Sequence, residues 1–186
     1  MLPSRASSRA GFTLLEVMLA CVLMSIAVLA LMALIPTTTQ LTETTEESNL
    51  AMQASHQLSE AIRQYADKDF SYVWKAYNSD PSDDPNGAGT APGNTFSIPG
   101  LTATSESVGG KVGSIIFFTD ETLNTAESNK VGLPNKDLNG DGDDFDVDVV
   151  TVAPTYALLP YEIAVDWKDH AGLIRHTEIF SQVADY

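Results

Sequence analysis

From Phe12 to Ile35 the chain runs through 24 residues that are apolar or small, with a single charged side chain, Glu16. As an α-helix such a run is about 36 Å long, enough to cross a hydrocarbon core of ~30 Å with some tilt. The stretch therefore predicts a membrane-spanning helix. An ionised side chain inside such a helix costs roughly 2.5 to 3.5 kcal/mol on insertion scales and ordinarily has a specific partner, so Glu16 asks for a cation. The residues before the run carry Arg5 and Arg9 and no acid, whereas the chain beyond Pro36 is acidic. The positive-inside rule then keeps the N-terminus in the cytoplasm and exports the rest of the chain.

Three ordinary readings of this segment compete. A cleavable secretory signal has an apolar core of roughly 7 to 15 residues followed by a small-x-small site; this run is longer and ends in Leu34-Ile35-Pro36. A lipoprotein signal at Met18-Leu19-Ala20-Cys21 requires a polar tether after the cysteine, where nonpolar and small residues continue instead. A plain signal anchor needs only length and charge bias, and it explains everything except Glu16.

The stretch Arg9-Ala10-Gly11-Phe12-Thr13-Leu14-Leu15-Glu16-Val17 resembles the class III signal of type IV prepilins and type II secretion pseudopilins: a short basic leader ending in Gly, then Phe, then Glu five residues into the mature chain. The resemblance implies that a membrane prepilin peptidase cuts between Gly11 and Phe12 and methylates the new N-terminus of Phe12. Cleavage would create the missing cation, because a helical Glu16 lies at i+4 from the Phe12 ammonium and near the positive end of the helix dipole. In the family's assembled filaments this Glu reaches the N-terminus of a neighbouring subunit and sets the axial register, the best-attested use of a buried polar pair. The implied partners are other pilin or pseudopilin subunits, the prepilin peptidase/methylase, the inner-membrane assembly platform and membrane lipid. The implied location is the inner membrane, single-pass, with a periplasmic C-terminal domain that later joins a filament.

Ten Lys and Arg stand against 25 Asp and Glu. Removal of a leader holding Arg5 and Arg9 leaves eight against 25, a formal charge of −17. Nucleic-acid binding through a basic groove is not expected from such a chain. The only cysteine is Cys21, inside the apolar run, so the exported part has no disulfide. Many type IV pilins close a C-terminal loop with one, and this chain departs from that pattern.

Past Pro36, six threonines between Thr37 and Thr45 are β-branched and poor helix formers, which predicts a kink or local melting near residues 33–45. Leu41, Thr44, Ser48, Ala51, Ser55, Leu58, Ile62 and Tyr65 then recur at spacings of three and four, one face of an amphipathic helix to about residue 67. The expected organisation is a leader over 1–11, a membrane and assembly helix over 12–35, its periplasmic continuation over 36–67 and a β-rich domain over 68–186. Residues 78–95, dense in Asp, Pro, Gly and Asn, read as a loop. Just before it, Phe70, Tyr72, Trp74 and Tyr77 are expected to cap the core. Strands are expected at Gly113–Thr119, Val147–Val152, Tyr161–Trp167 and Leu173–Gln182, the last two joined by a hairpin loop ending in Gly172. The fold class is α+β, a long N-terminal helix packed on a small antiparallel sheet, which is also the fold that the pilin resemblance implies.

The sharpest motif outside the apolar run is Asp137-Leu138-Asn139-Gly140-Asp141-Gly142-Asp143-Asp144-Phe145-Asp146-Val147-Asp148. Counted from Asp137, oxygen side chains fall at positions 1, 3, 5 and 12 and glycine at 6, the calcium-loop pattern with Asp in place of the usual final Glu. The expected ligands for Ca2+ are Asp137, Asn139, Asp141, the backbone carbonyl of Asp143, and Asp148. Pro134 before the loop and Val147–Val150 after it argue against the flanking helices of an EF-hand. The competing reading is an acidic solvent turn, but six aspartates in twelve residues repel one another unless a cation or solvent screens them. Bound calcium would stand in for the absent disulfide, and pseudopilins of the same family are known to use calcium in this way.

His56, His170 and His176 lie without metal-ligand spacing or a nucleophile elbow, so no enzyme is expected. The reading is a structural subunit, a minor pilin or minor pseudopilin, to which the tail Val165-Asp166-Trp167-Lys168-Asp169 with Gly172 is similar. The alternative is a membrane-anchored calcium-dependent adhesin or binding module outside any filament.

Overall fold

A computed structural model of the chain describes residues 12–150 and 156–185. Helix α1 runs from Leu14 to Ala66, 53 residues with Pro36 inside it. The expected local melting over 33–45 does not occur. The threonines that argued for it bond their hydroxyls back along the helix: Thr37 to Leu34 O, Thr38 and Thr39 to Ile35 O, and Thr42 to Thr38 O, at 2.7 to 3.0 Å. Hydroxyls bonded in this way are satisfied within the helix itself and do not divert its backbone N–H groups. By length and composition α1 is able to cross a membrane, and its large apolar residues from Leu14 to Ile35 are exposed.

The chain divides into two compact units, one reaching to Thr42 and the other beginning at Glu43. Within the second, the buried residues of α1 are Glu47, Ala51, Ser55, Ser59 and Ile62, a row at spacings of four and three. Small side chains there let the helix approach a five-stranded antiparallel sheet. Its strands are β1 (Thr95–Phe96), β2 (Thr102–Ala103), β3 (Gly113–Phe117), β4 (Leu158–Lys168) and β5 (Ile174–Ala184). Strand β4 pairs with β5 along its whole length, from Leu158↔Ala184 to Lys168↔Ile174. Its other edge therefore takes β3, through Tyr161–Val165, and β2, through Trp167 and Lys168, end to end. Tyr161, Val165 and Trp167 of β4 face α1, and the Tyr161 hydroxyl meets Ser59 Oγ at 2.9 Å. The sequence anticipated β3, β4, β5 and their hairpin, whose Gly172 adopts φ 83°. It missed β1 and β2, two residues each, too short for a period to register.

Val147–Val150 is not a strand. Residues 146–149 touch the 119–121 segment through two backbone bonds, Glu121 N to Asp146 O (2.8 Å) and Val149 N to Thr119 O (3.0 Å). The Asp148 carboxylate then caps Val150 N at 3.1 Å and turns the chain. Val149 and Val150 are buried by the turn, so their apolar character is spent on the core without a ladder. Thr151 and Val152, the end of that expected strand, lie outside the described residues. The aromatics after α1 form a 3-10 turn (Phe70–Tyr72) and helix α2 (Val73–Tyr77). Phe70 and Tyr77 are buried in the core, Trp74 packs against it and Tyr72 is exposed. The Tyr156 hydroxyl ties this segment down, donating to Phe70 O (2.8 Å) and accepting from Trp74 N (3.2 Å), and burial pushes its pKa up to about 12.

The charged Glu47 enters the core row because its carboxylate is fully engaged. Trp167 Nε1 donates to Oε2 at 3.2 Å and His170 Nδ1 lies 2.6 Å from Oε1, joining α1 to the β4–β5 hairpin. The hydrogen bond to Glu47, with the charges of Glu43, Glu47 and Asp169, raises the His170 pKa above its usual value. A group held protonated by the fold stabilises it fully below its unfolded pKa of about 6.5 and ceases to do so as pH rises through the elevated value. Urea unfolding of the protein and of His170→Ala, compared from about pH 5 to pH 9, is expected to show a stability difference that is largest at the acid end and fades above neutrality. A difference independent of pH would remove the ion pair from this account.

Candidate functional site

At the head of α1, Thr13 is the residue that caps the helix. Its Oγ1 accepts from Glu16 N (3.3 Å), while Glu16 Oε2 accepts from Thr13 N (3.3 Å) and from Thr13 Oγ1 (3.4 Å). This is a reciprocal capping box, Thr-x-x-Glu, which satisfies orphan donors at both residues. The Thr-x-x-Glu spacing that signals it is present in the sequence, beside the charge of Glu16. Phe12 precedes the first helical residue and is exposed. It lines one shallow hollow of about 320 Å3 with Glu16, Val17, Ala20, Cys21 and Met24. Gly11, Arg5 and Arg9 lie outside the described residues.

The acidic loop is built from side chains that accept from their own backbone. Asp137 takes Gly140 N (2.5 Å) and Gly142 N (2.9 Å), Asn139 takes Asp141 N (3.0 Å), Asp141 takes Asp143 N (3.0 Å), and Asp143 takes Phe145 N (3.2 Å). Gly140 and Gly142 sit at φ 79° and 100°, a region that glycine enters without strain. The Gly142 N–H, aided by those of Gly140, Asp141 and Asn139, holds the Asp137 carboxyl below its usual pKa against slight desolvation.

What anchors the loop lies outside it. Glu121 is completely buried; its Oε1 accepts from Leu138 N (2.5 Å) and its Oε2 from Asp146 N (3.1 Å). One carboxylate thus clamps both ends of the loop, with charge-assisted bonds stronger than neutral ones. Asn139 Nδ2 adds a bond to Asp146 Oδ2 at 2.6 Å.

This arrangement brings Glu121, Asp143 and Asp146 together, with one carboxylate oxygen of each within 4.8 Å of the others. Of the ligands expected from spacing, only Asp143 belongs to that group, and it does so through its side chain rather than its carbonyl. Asp137, Asn139, Asp141 and Asp148 turn to N–H groups of the loop and its exit. Asp146 stood within the motif but off the ligand positions. Glu121 lies 25 residues from Asp146 and no local spacing points to it. Three hard carboxylates suit a cation such as calcium or magnesium.

The remaining histidine–carboxylate contact is of another kind: His176 Nδ1 lies 2.7 Å from Asp166 Oδ1 and its Nε2 3.4 Å from Glu178 Oε2 on the sheet surface.

Residues 6–32 match the model of the prokaryotic N-terminal methylation motif. No curated protein and no solved structure matches the chain.

Glu121→Gln keeps shape but sets an amide N–H2 against one of two buried N–H donors. Leaving such a donor unsatisfied costs about 1 to 3 kcal/mol. Urea unfolding is expected to shift by that amount, with faster hydrogen exchange at Leu138 and Asp146. An unchanged midpoint would show that the clamp is not structural.

Proposed function

We propose that this pilin-like chain, which carries the class III signal of type IV pilins and pseudopilins at its N-terminus, is a minor subunit of a type IV pilus or a type II secretion-like filament. The supporting observation is the methylation motif placed at the head of an exposed apolar helix. The prepilin peptidase cuts after Gly11 and methylates Phe12, and the helix over 12–35 holds the subunit in the inner membrane with its N-terminus cytoplasmic and its C-terminal domain periplasmic. Release into a filament replaces lipid around that helix with the helices of neighbouring subunits. Glu16 then meets the Phe12 ammonium of a neighbour and fixes register along surfaces that otherwise slide.

In cells expressing the filament, Glu16→Ala is expected to insert in the membrane as before and to be lost from filaments, read by fractionation and immunoblot. Normal incorporation would sink the register role. Mass spectrometry of the mature chain distinguishes the alternative: an N-methylated Phe12 supports the filament subunit, whereas retention of residues 1–11 supports a membrane-anchored calcium-dependent module.

The acidic loop is the proposed calcium site, with Glu121, Asp143 and Asp146 the carboxylates best placed to share an ion and Asp137, Asn139, Asp141 and Asp148 shaping the chain around them. The supporting observation is the convergence of three carboxylates, one of them fully buried. Calcium binding only the folded state would add about 2.7 kcal/mol at a hundredfold excess over Kd. A calcium-dependent, chelator-reversible rise in melting temperature is expected, absent in Asp143→Asn/Asp146→Asn. Equal melting with calcium and with chelator would remove the ion from the reading.

A further inference from the structure

In the unit that begins at Glu43, the first residue of α1 to be buried is Glu47, one turn ahead of Ala51. Its side chain is 8% exposed, whereas that of its partner His170 is 70% exposed. The carboxylate is shared by two parts of the hairpin: the Trp167 indole N–H near the end of β4 donates to Oε2 (3.2 Å), and His170 Nδ1 in the turn lies 2.6 Å from Oε1. Among the described residues, His170 is the one cationic partner of Glu47. A single neutral donor does not compensate a buried negative charge, and the protonated imidazole supplies both a charge and a donor. Its exposure lets solvent protons reach it without any opening of the core.

Three carboxylates act on that imidazole: Glu47, Glu43 one turn before it on α1, and Asp169 beside it in the hairpin. Asp169 is already engaged, accepting from Leu173 N (2.8 Å) and from Arg175 Nε (2.9 Å), so Arg175 is committed elsewhere and does not stand in for His170. The cluster that Trp167 joins, with Ala51, Ile98, Val112 and Val165, is apolar. When His170 loses its proton, the charges left around Glu47 only repel it.

We propose that the Glu47–His170 pair is a proton-operated latch, in which the imidazolium holds the first docked turn of α1 against the β4–β5 hairpin and the neutral imidazole releases it. On release Glu47 turns to water and Trp167 loses its acceptor. Docking then begins at Ala51, about 6 Å further along the helix, with Leu50 beside it over Gly100. The change is local, because Ala51, Ser55, Ser59 and Ile62 keep the rest of the helix on the sheet. Its direction follows from linkage. The hydrogen bond to Glu47, and after it the charge of Glu43, raises the His170 pKa, so the latch is closed below the ordinary value of about 6.5 and opens as pH rises through the raised one. The latch does not depend on the filament reading.

The test uses the full chain in detergent micelles, whose two indole N–H groups, of Trp74 and Trp167, are distinguished in NMR spectra by Trp74→Phe. Protection of the Trp167 indole hydrogen from exchange is taken relative to free indole at each pH. It is expected to fall about threefold, the scale of an exposed charge pair, from about pH 5 to pH 9, in step with the titration of the His170 ring protons. The Ile163 amide in β4 is expected to keep its protection. His170→Lys, at an exposed position, keeps a cation throughout and is expected to abolish the fall, and His170→Gln is expected to show the low protection at every pH. Protection of Trp167 that ignores pH would overturn the latch. So would a fall that persists in His170→Gln, since His176, which meets Asp166 and Glu178 on the sheet surface, or another group would then be responsible. Parallel loss at Ile163 and Trp167 would overturn it as well, because the opening would then be global unfolding.

Discussion

The unit that begins at Glu43 depends on how closely helix α1 approaches strand β4. The contact row of the helix is built from Ala51, Ser55 and Ser59, closed by Ile62, and the strand answers with Tyr161, Val165 and Trp167, all essentially buried. Bulk comes from the sheet and clearance from the helix. Small residues lose little side-chain entropy on burial, and the serines satisfy their hydroxyls, Ser55 on Ala51 O and Ser59 on the Tyr161 hydroxyl. Because β4 carries β3, β2 and β5 on its two edges, fixing β4 against the helix fixes the sheet.

What was readable in the sequence was whatever repeats. The apolar run, the helical face and the β-branched runs of β3, β4 and β5 each have a period or a length that physics converts into an element. The predicted face placed Ser48 inward, yet Glu47 is the buried residue. Composition sends a carboxylate outward unless its partners are known, and the partners, Trp167 and His170, lie more than a hundred residues away. Glu121 escaped notice for the same reason. Val147–Val150 failed differently: its residues have strand propensity, but Asp148 offers the backbone a competing local bond and the turn prevails.

The excess of acid is not confined to a solvated surface. Asp80, Asp120, Asp137, Asp141, Asp143, Asp148 and Asp169 each accept a backbone N–H close by in sequence, and Glu121 accepts two from far along the chain. In a domain without a disulfide, such acceptors order the loops that connect short elements. The Ser82 hydroxyl and N–H hold the Asp80 carboxyl, and the Gly142 N–H the Asp137 carboxyl, below the usual carboxylate range, so acid that protonates these two groups weakens the turns they fix.

Glu16 shows the same economy at the other end of the chain. Its carboxylate completes a capping box with Thr13, and a cut after Gly11 leaves both residues in place. The cap would therefore survive the proposed cut, which would add an ammonium on Phe12, next to the capping residue and along the same hollow. The carboxylate then has two claimants, the Thr13 N–H and a cation. A Glu16 that turned wholly to a neighbour's ammonium would leave an orphan donor at the head of the helix, in lipid or among apolar helices, where unsatisfied groups cost most. With two oxygens the carboxylate can serve both, one kept on Thr13 and the other turned outward. An amide has only one acceptor oxygen and no charge, so it cannot replace Glu16 in both roles at once.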